Sequence, residues 1–272
     1  MPIAPKHPGY NRRLEGLFAL PLALYLLVLA GLAAGMFSRI TPEAVRTAFS
    51  DPALRHSVLL SLVTSSVSTL LAMALAVPAG YVMSRRRFPG HAAADTILDL
   101  PIVLPPLVMG LCILIFFNTG FGRWLDRGLV KQGLFVYQPL GIVLTQVIVG
   151  AAFAIRVMKS GFDAFDRRLE DAAMTLGADS RQTFFKVVLP NMKAPLVAAG
   201  VIAWARIFGL FGPILLVSGT MRGRTEIMPT TIFLETSIGR IEVALVVAGL
   251  MIVLSAAMLI AMKRFNVKEL PW

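Results

Sequence analysis

Six runs of about 20 apolar residues, each long enough to cross the roughly 30 Å hydrocarbon core of a bilayer as a helix, constrain this chain more than any other feature. They lie at residues 16–37, 57–83, 98–118, 138–158, 194–218 and 241–262. Inside lipid every backbone donor and acceptor must be paired within the chain, so such runs fold as helices. Hydrophobic residues make up 57% of the 272 and charged residues only 15%, against about 25% charged in a soluble domain. The reading is an all-α polytopic membrane protein, one domain over 1–272 with six transmembrane helices.

Two spans carry local signals. The first follows Lys6, Arg12 and Arg13 and has small residues at Ala33 and Ala34, as a signal peptide does. Its apolar stretch exceeds the roughly 7 to 15 residues of a signal sequence, so a retained first helix is expected. The third contains Pro101, Pro105 and Pro106, whose missing N–H groups predict a kink or a late start.

The net charge of +11 suggests nucleic acid only if the basic residues form a stripe on a soluble face. Here they sit between the apolar runs, and their distribution reads as topology. With the N-terminus inside, 15 of the 26 lysines and arginines fall in inner segments and nine in outer loops, and Arg156 and Arg206 fall within spans. The excess on the inner side predicts that both termini are cytoplasmic. The longest inner loop, 163–190, then also faces the cytoplasm.

Several chemistries lack their residues. The single cysteine, Cys112, has no partner, and His7, His56 and His91 have no acidic cluster beside them, so no metal site is expected. Ser65, Ser66 and Ser68 read as packing residues rather than nucleophiles, and no catalytic residue is assigned. A phosphate-cradling loop needs G-x-x-x-x-G-K-[ST], and the chain has no Gly-Lys dipeptide. An ion-driven carrier usually relies on carboxylates within its spans or on repeated halves. No span centre here carries Asp or Glu, and no convincing repeat relates the halves.

The inner loop is built differently from the rest. Read as a helix from Ala164 to Leu176, it places Phe165, Leu169, Ala172, Ala173 and Leu176 on one face, with Asp166, Arg167, Arg168, Glu170 and Asp171 opposite. Gly177 stands where a left-handed C-terminal cap is wanted. Asp179 and Gln182 resemble a capping box opening a second short helix, which Pro190 ends or turns. Helices this short are marginal alone in water. Their apolar face rests either on the bundle and lipid headgroups or against a soluble partner that approaches closely over Ala172 and Ala173.

This loop resembles the EAA loop of ATP-binding-cassette importer permeases, whose pattern is Glu-Ala-Ala, three residues, Gly, nine residues, Ile, one residue, Leu-Pro. Asp171, Ala172, Ala173, Gly177, Val187, Leu189 and Pro190 fall on it without a gap, with Asp171 for Glu and Val187 for Ile. Glu170 stands beside Asp171 as a substitute for the family's acid. The resemblance implies a coupling helix docked in a groove of a separate ATPase subunit that binds ATP and Mg, with no cofactor in this chain. It also implies a solute-binding protein, periplasmic or lipid-anchored, a second permease copy, and a place in the inner membrane.

Over about 57–265 the chain is similar to permeases for molybdate, tungstate and sulfate. LPIVLPPLVMGL (Leu100 to Leu111), ARIFGLFGPILLVSG (Ala205 to Gly219) and GRTEIMPTTIF (Gly223 to Phe233) carry this likeness. Permeases for polyamines, ferric ion or phosphonate remain the alternative, and an ion-coupled carrier the more distant one. Where the oxyanion permeases usually show Gly-Glu-Phe-Gly, this chain has Gly209, Leu210, Phe211 and Gly212. Arg206 and Arg156 are candidate pathway residues, because a charge within a span tends to face a cavity or a partner. Arg222, Arg224 and Glu226 are candidates to touch the binding protein.

Overall fold

The structure, a computed structural model, describes residues 12–128 and 130–264. The chain termini used above for orientation, with Lys6 and Lys268, lie outside the described residues. All regular elements among those described are helical: α1 (Arg12–Phe37), α2 (Pro42–Ser50), α3 (Pro52–Arg85), α4 (His91–Val103), α5 (Pro106–Asn118), α6 (Gly120–Arg127) and α7 (Pro139–Ala164). Short α8 (Arg168–Thr175), α9 (Ser180–Thr183), a π-helical turn over Phe184–Val188 and α10 (Leu189–Asn191) follow. The chain continues as α11 (Lys193–Phe208), α12 (Gly212–Ser218), α13 (Met228–Ser237) and α14 (Ile241–Arg264).

Four of these helices are long and apolar enough to cross a membrane unbroken, namely the apolar part of α1, α3, α7 and α14. The other two expected spans are broken. The third, 98–118, is two helices, α4 and α5, set at 114° to each other. Pro105 and Pro106 are the cause, since Leu104 is pushed to an extended conformation (ψ 140°) and Pro106 restarts the helix at its first position. The fifth, 194–218, stops at Phe208 and resumes at Gly212, with Gly209 capping α11 and Pro213 in the first turn of α12. At its other end α11 meets the α9–α10 segment at 70°.

The centre is the α3–α7 pair with α11 laid across both. Lipid is as apolar as a leucine side chain, so helix pairing here depends on close packing through small residues. Ala72, Ala76, Ala151, Ala154, Ala199 and Ala203 supply it. Gly80 and Gly150 bring the backbones closest: a Cβ at Gly80 would stand 2.9 Å from the Cβ of Met158, and one at Gly150 would stand 2.3 Å from Ile207. Ser65 and Ser68 are buried as expected for packing residues, whereas Ser66 faces outward. Ser68 also donates to Gln146 at 2.8 Å, and the hydroxyl of Ser61 accepts from the Met228 N–H at 2.8 Å. Helix α1 lies outside this core against α14, with an apolar surface exposed along its length.

Candidate functional site

Helix α7 runs through Ala164, so the expected helix from Ala164 to Leu176 is interrupted. Phe165 is extended (φ −76°, ψ 128°), and Asp166 accepts from the Arg168 N–H at 3.0 Å. This Asx turn starts α8 four residues later than periodicity alone suggests. Gly177 then adopts φ +90°, a conformation costly for any residue with a Cβ. Its N–H and that of Ala178 satisfy the carbonyls of Met174 and Ala173. Asp179 caps α9 by accepting from the Gln182 N–H at 2.7 Å, and the chain leaves through Pro190 and Met192 into α11. The result is a two-piece elbow beyond the ends of α3 and α7.

One side chain from the polar face of α8 fastens the elbow. Glu170 turns inward and is buried, its carboxylate accepting from Arg85 Nε at 2.8 Å and Nη2 at 2.6 Å and from the Tyr81 hydroxyl at 3.0 Å. Tyr81 and Arg85 are one turn apart on α3, so they share a face. Arg85 also donates to the Phe162 carbonyl at 2.7 Å and to the Ser84 hydroxyl at 3.1 Å. Tyr81 packs edge-on against Phe162 of α7 and Phe184 of the π turn. A forked ion pair whose side chains are only 10% and 11% exposed is costly to break from one side.

With Glu170 turned in, the apolar side of the elbow turns out. Leu176 is 89% and Leu169 48% exposed, and Met174 and Phe185 are exposed beside them. Ala172 is exposed and Ala173 half-buried. Phe165, expected on this face, instead packs against the core beneath. Asp171, which aligns with the family's acid, faces solvent, and Glu170 makes the tether in its place. Leu189 is half-buried and Pro190 exposed.

The remaining candidates separate. Arg156 is held by two carboxylates of α4, Asp99 and Asp95, the latter at 2.9 Å, and ties α7 to α4 rather than standing free toward a path. Sequence reasoning missed these partners, although Asp95 and Asp99 share a helical face at i, i+4. Arg206 is exposed, with its guanidinium 4.9 Å above the Phe153 ring. At the end opposite the elbow, Arg222 pairs with Glu235 and stands 3.8 Å from Asp51, while Arg240 reaches Glu235 at 3.3 Å. Arg224 is exposed and donates to the Gln138 side chain at 2.8 Å. Glu226 is fully buried with neither carboxylate oxygen hydrogen-bonded, so it offers nothing to a docking protein in this conformation. Burial holds its pKa above the ordinary value.

The same architecture occurs in solved transporters. The chain aligns over 96% of its length with 98% of a chain in a bacterial ABC transporter involved in the import of the acidic polysaccharide alginate, at a TM-score of 0.75 and 17% identity. A chain of the MetNI methionine ABC transporter, in an inward-facing conformation, aligns over 78% of this chain and 93% of its own, at a TM-score of 0.59 and 18% identity. By sequence the chain is 36% identical over 176 residues to the molybdate/tungstate transport system permease protein WtpB of Pyrococcus furiosus, 65% of each chain. It is 31% identical over 185 residues to the molybdenum transport system permease protein ModB of Escherichia coli K12, covering 65% of this chain and 78% of that one. The alignments span 62 to 65% of the length of the molybdate/tungstate proteins of Pyrococcus and Thermococcus. Residues 76–268, which hold the elbow, its Arg85 anchor and every helix from α4 to α14, match one family throughout. The chain belongs to the family of binding-protein-dependent transport system inner membrane components.

Proposed function

We propose that this chain is the membrane subunit of an importer that moves a small oxyanion such as molybdate, tungstate or sulfate inward, driven by ATP hydrolysed with Mg in a separate subunit. The observation that carries the reading is the elbow: a short helix pinned from behind by Glu170 and Arg85 that presents Leu169, Ala172, Met174 and Leu176 outward. An apolar surface so presented is suited to cover by a partner, and the tether gives that partner a rigid handle on α3 and α7. The ATPase sits beneath the elbow on the cytoplasmic side, as the excess of basic residues in inner segments supports, with both termini on that side of a bacterial-type inner membrane. A second copy of this chain completes the pathway, and a solute-binding protein docks at the opposite end, where Arg222 and Arg224 are exposed. Arg206, exposed on α11, is the pathway residue best placed to meet an anion.

The oxyanion class is supported by relatives named for molybdate, tungstate, molybdenum and sulfate. Reconstitution with a partner ATPase subunit and a solute-binding protein tests the whole reading. Labelled molybdate or sulfate should accumulate in proteoliposomes only when Mg-ATP is present at the ATPase. Uptake that ignores ATP and follows an imposed proton or sodium gradient would establish a secondary carrier instead.

A further inference from the structure

Beside the elbow anchor, a cavity of about 520 Å³ opens between the end of α3, the start of α4 and the end of α7. Its lining includes Arg85, Arg87, Lys159, Arg167, His91 and the first turn of α4. The volume is far beyond the roughly 30 Å³ of a water molecule. What matters is which of these positive groups are already spent.

Arg85 is engaged by Glu170, Phe162 and Ser84, and Lys159 pairs with Asp163 at 3.3 Å. The two carboxylates of the lining are likewise occupied, Asp95 by Arg156 and Asp163 by Lys159 and the Ser84 hydroxyl. His91 Nε2 stands 3.0 Å from the Met83 carbonyl, which can only accept, so that nitrogen carries a proton. Arg87 has no hydrogen-bond or ion-pair partner among the described residues. Arg167 spends one nitrogen, donating to the Ser84 carbonyl at 2.8 Å, and keeps its other donors.

The helix start adds more. The residue capping α4 is Gly90, at φ +86°, which has no side chain to accept from the first turn. The N–H groups of His91 and Ala94 donate to the Phe88 and Gly90 carbonyls, which leaves those of Ala92 and Ala93 without a partner among the described residues. A capless helix start lining one cavity with guanidinium groups that keep free donors is the arrangement that binds phosphate-like anions.

We propose that this cavity is a binding site for a phosphate-type oxyanion, held by Arg87, Arg167 and the open amides of the α4 N-terminus. The anion is either free in the cytosol or the headgroup of an anionic lipid at the membrane surface. When bound it bridges the α3–α4 turn to Arg167, immediately before α8, and so stiffens the base of the elbow. The site stands outside the importer reading, and its occupancy is measured without ATPase or transport.

The test uses the full chain in nanodiscs. In phosphatidylcholine discs, inorganic sulfate and phosphate are titrated calorimetrically; in discs containing phosphatidylglycerol, native mass spectrometry counts retained anionic lipid. Saturable sulfate or phosphate binding identifies a free anion, and retained phosphatidylglycerol identifies a headgroup. In either case Arg87→Gln should weaken binding about tenfold, as loss of a charge-assisted contact does. Arg86→Gln, which removes the same charge from a residue outside the cavity lining, should leave binding unchanged. Absence of both binding modes, or equal weakening by the two variants, overturns the proposal.

Discussion

Removal of Arg85 tests how the elbow is held. Arg85→Ala leaves the buried Glu170 carboxylate with only the Tyr81 hydroxyl. Stripping one partner from a buried ion pair costs on the order of 3 to 5 kcal/mol. Helix α8 has eight residues and cannot sustain itself in water, so the loss falls on its docking to the bundle. About 3 kcal/mol is a factor of roughly 100 in an equilibrium constant. Hydrogen exchange of the purified chain in nanodiscs should therefore speed by about two orders of magnitude at the amides of Leu176 and Gly177, which close the last turn onto Ala172 and Met174. Because Arg85 also binds the Phe162 carbonyl, Glu170→Gln is the companion variant; it keeps that contact and should loosen the elbow less. The reasoning is refuted if Arg85→Ala, correctly inserted, leaves exchange across 168–177 unchanged.

Three further outcomes are expected. Leu176→Asp, at the most exposed apolar position of the elbow, should abolish capture of the ATPase subunit in pull-downs while the chain keeps its melting temperature; retained capture would remove Leu176 from the docking face. Gly177→Ala has open space for the Cβ but a φ of +90°, so it should loosen the elbow by about 1 to 2 kcal/mol, read by the same exchange measurement, with no loss if the turn is free to re-form. Glu226 has a pKa raised above 4.5 by burial, so its contribution to stability is full below that value and is lost as pH rises through the raised pKa. Wild type should lose stability relative to Glu226→Gln over that interval in thermal melts, and parallel profiles would contradict it.

The apolar runs were legible because lipid leaves the backbone no alternative to helix, and Pro105 and Pro106 marked the break in the third. The interruption of the fifth was written in Gly209 and Pro213, yet the unbroken hydropathy of that run concealed it. Periodicity found the two faces of α8 without saying which one turns outward. That is decided by Tyr81 and Arg85, nearly 90 positions earlier in the chain, which reach for Glu170. For the same reason a motif match favoured Asp171: adjacent residues stand about 100° apart on a helix, and only the anchor's position selects between them. The partners of Arg156 and the burial of Glu226 depend on distant packing that local pattern does not carry.

Whether the elbow is the point where an ATPase grips this chain is measured most directly at position 176. In a chain carrying Cys112→Ala and Leu176→Cys, assembly with the ATPase subunit should protect the new thiol from alkylation. A bifunctional thiol reagent should then join it to a cysteine introduced in the partner's groove and stop ATP-driven uptake. A thiol alkylated as fast in the assembled, ATP-hydrolysing complex as in the lone chain would contradict that assignment.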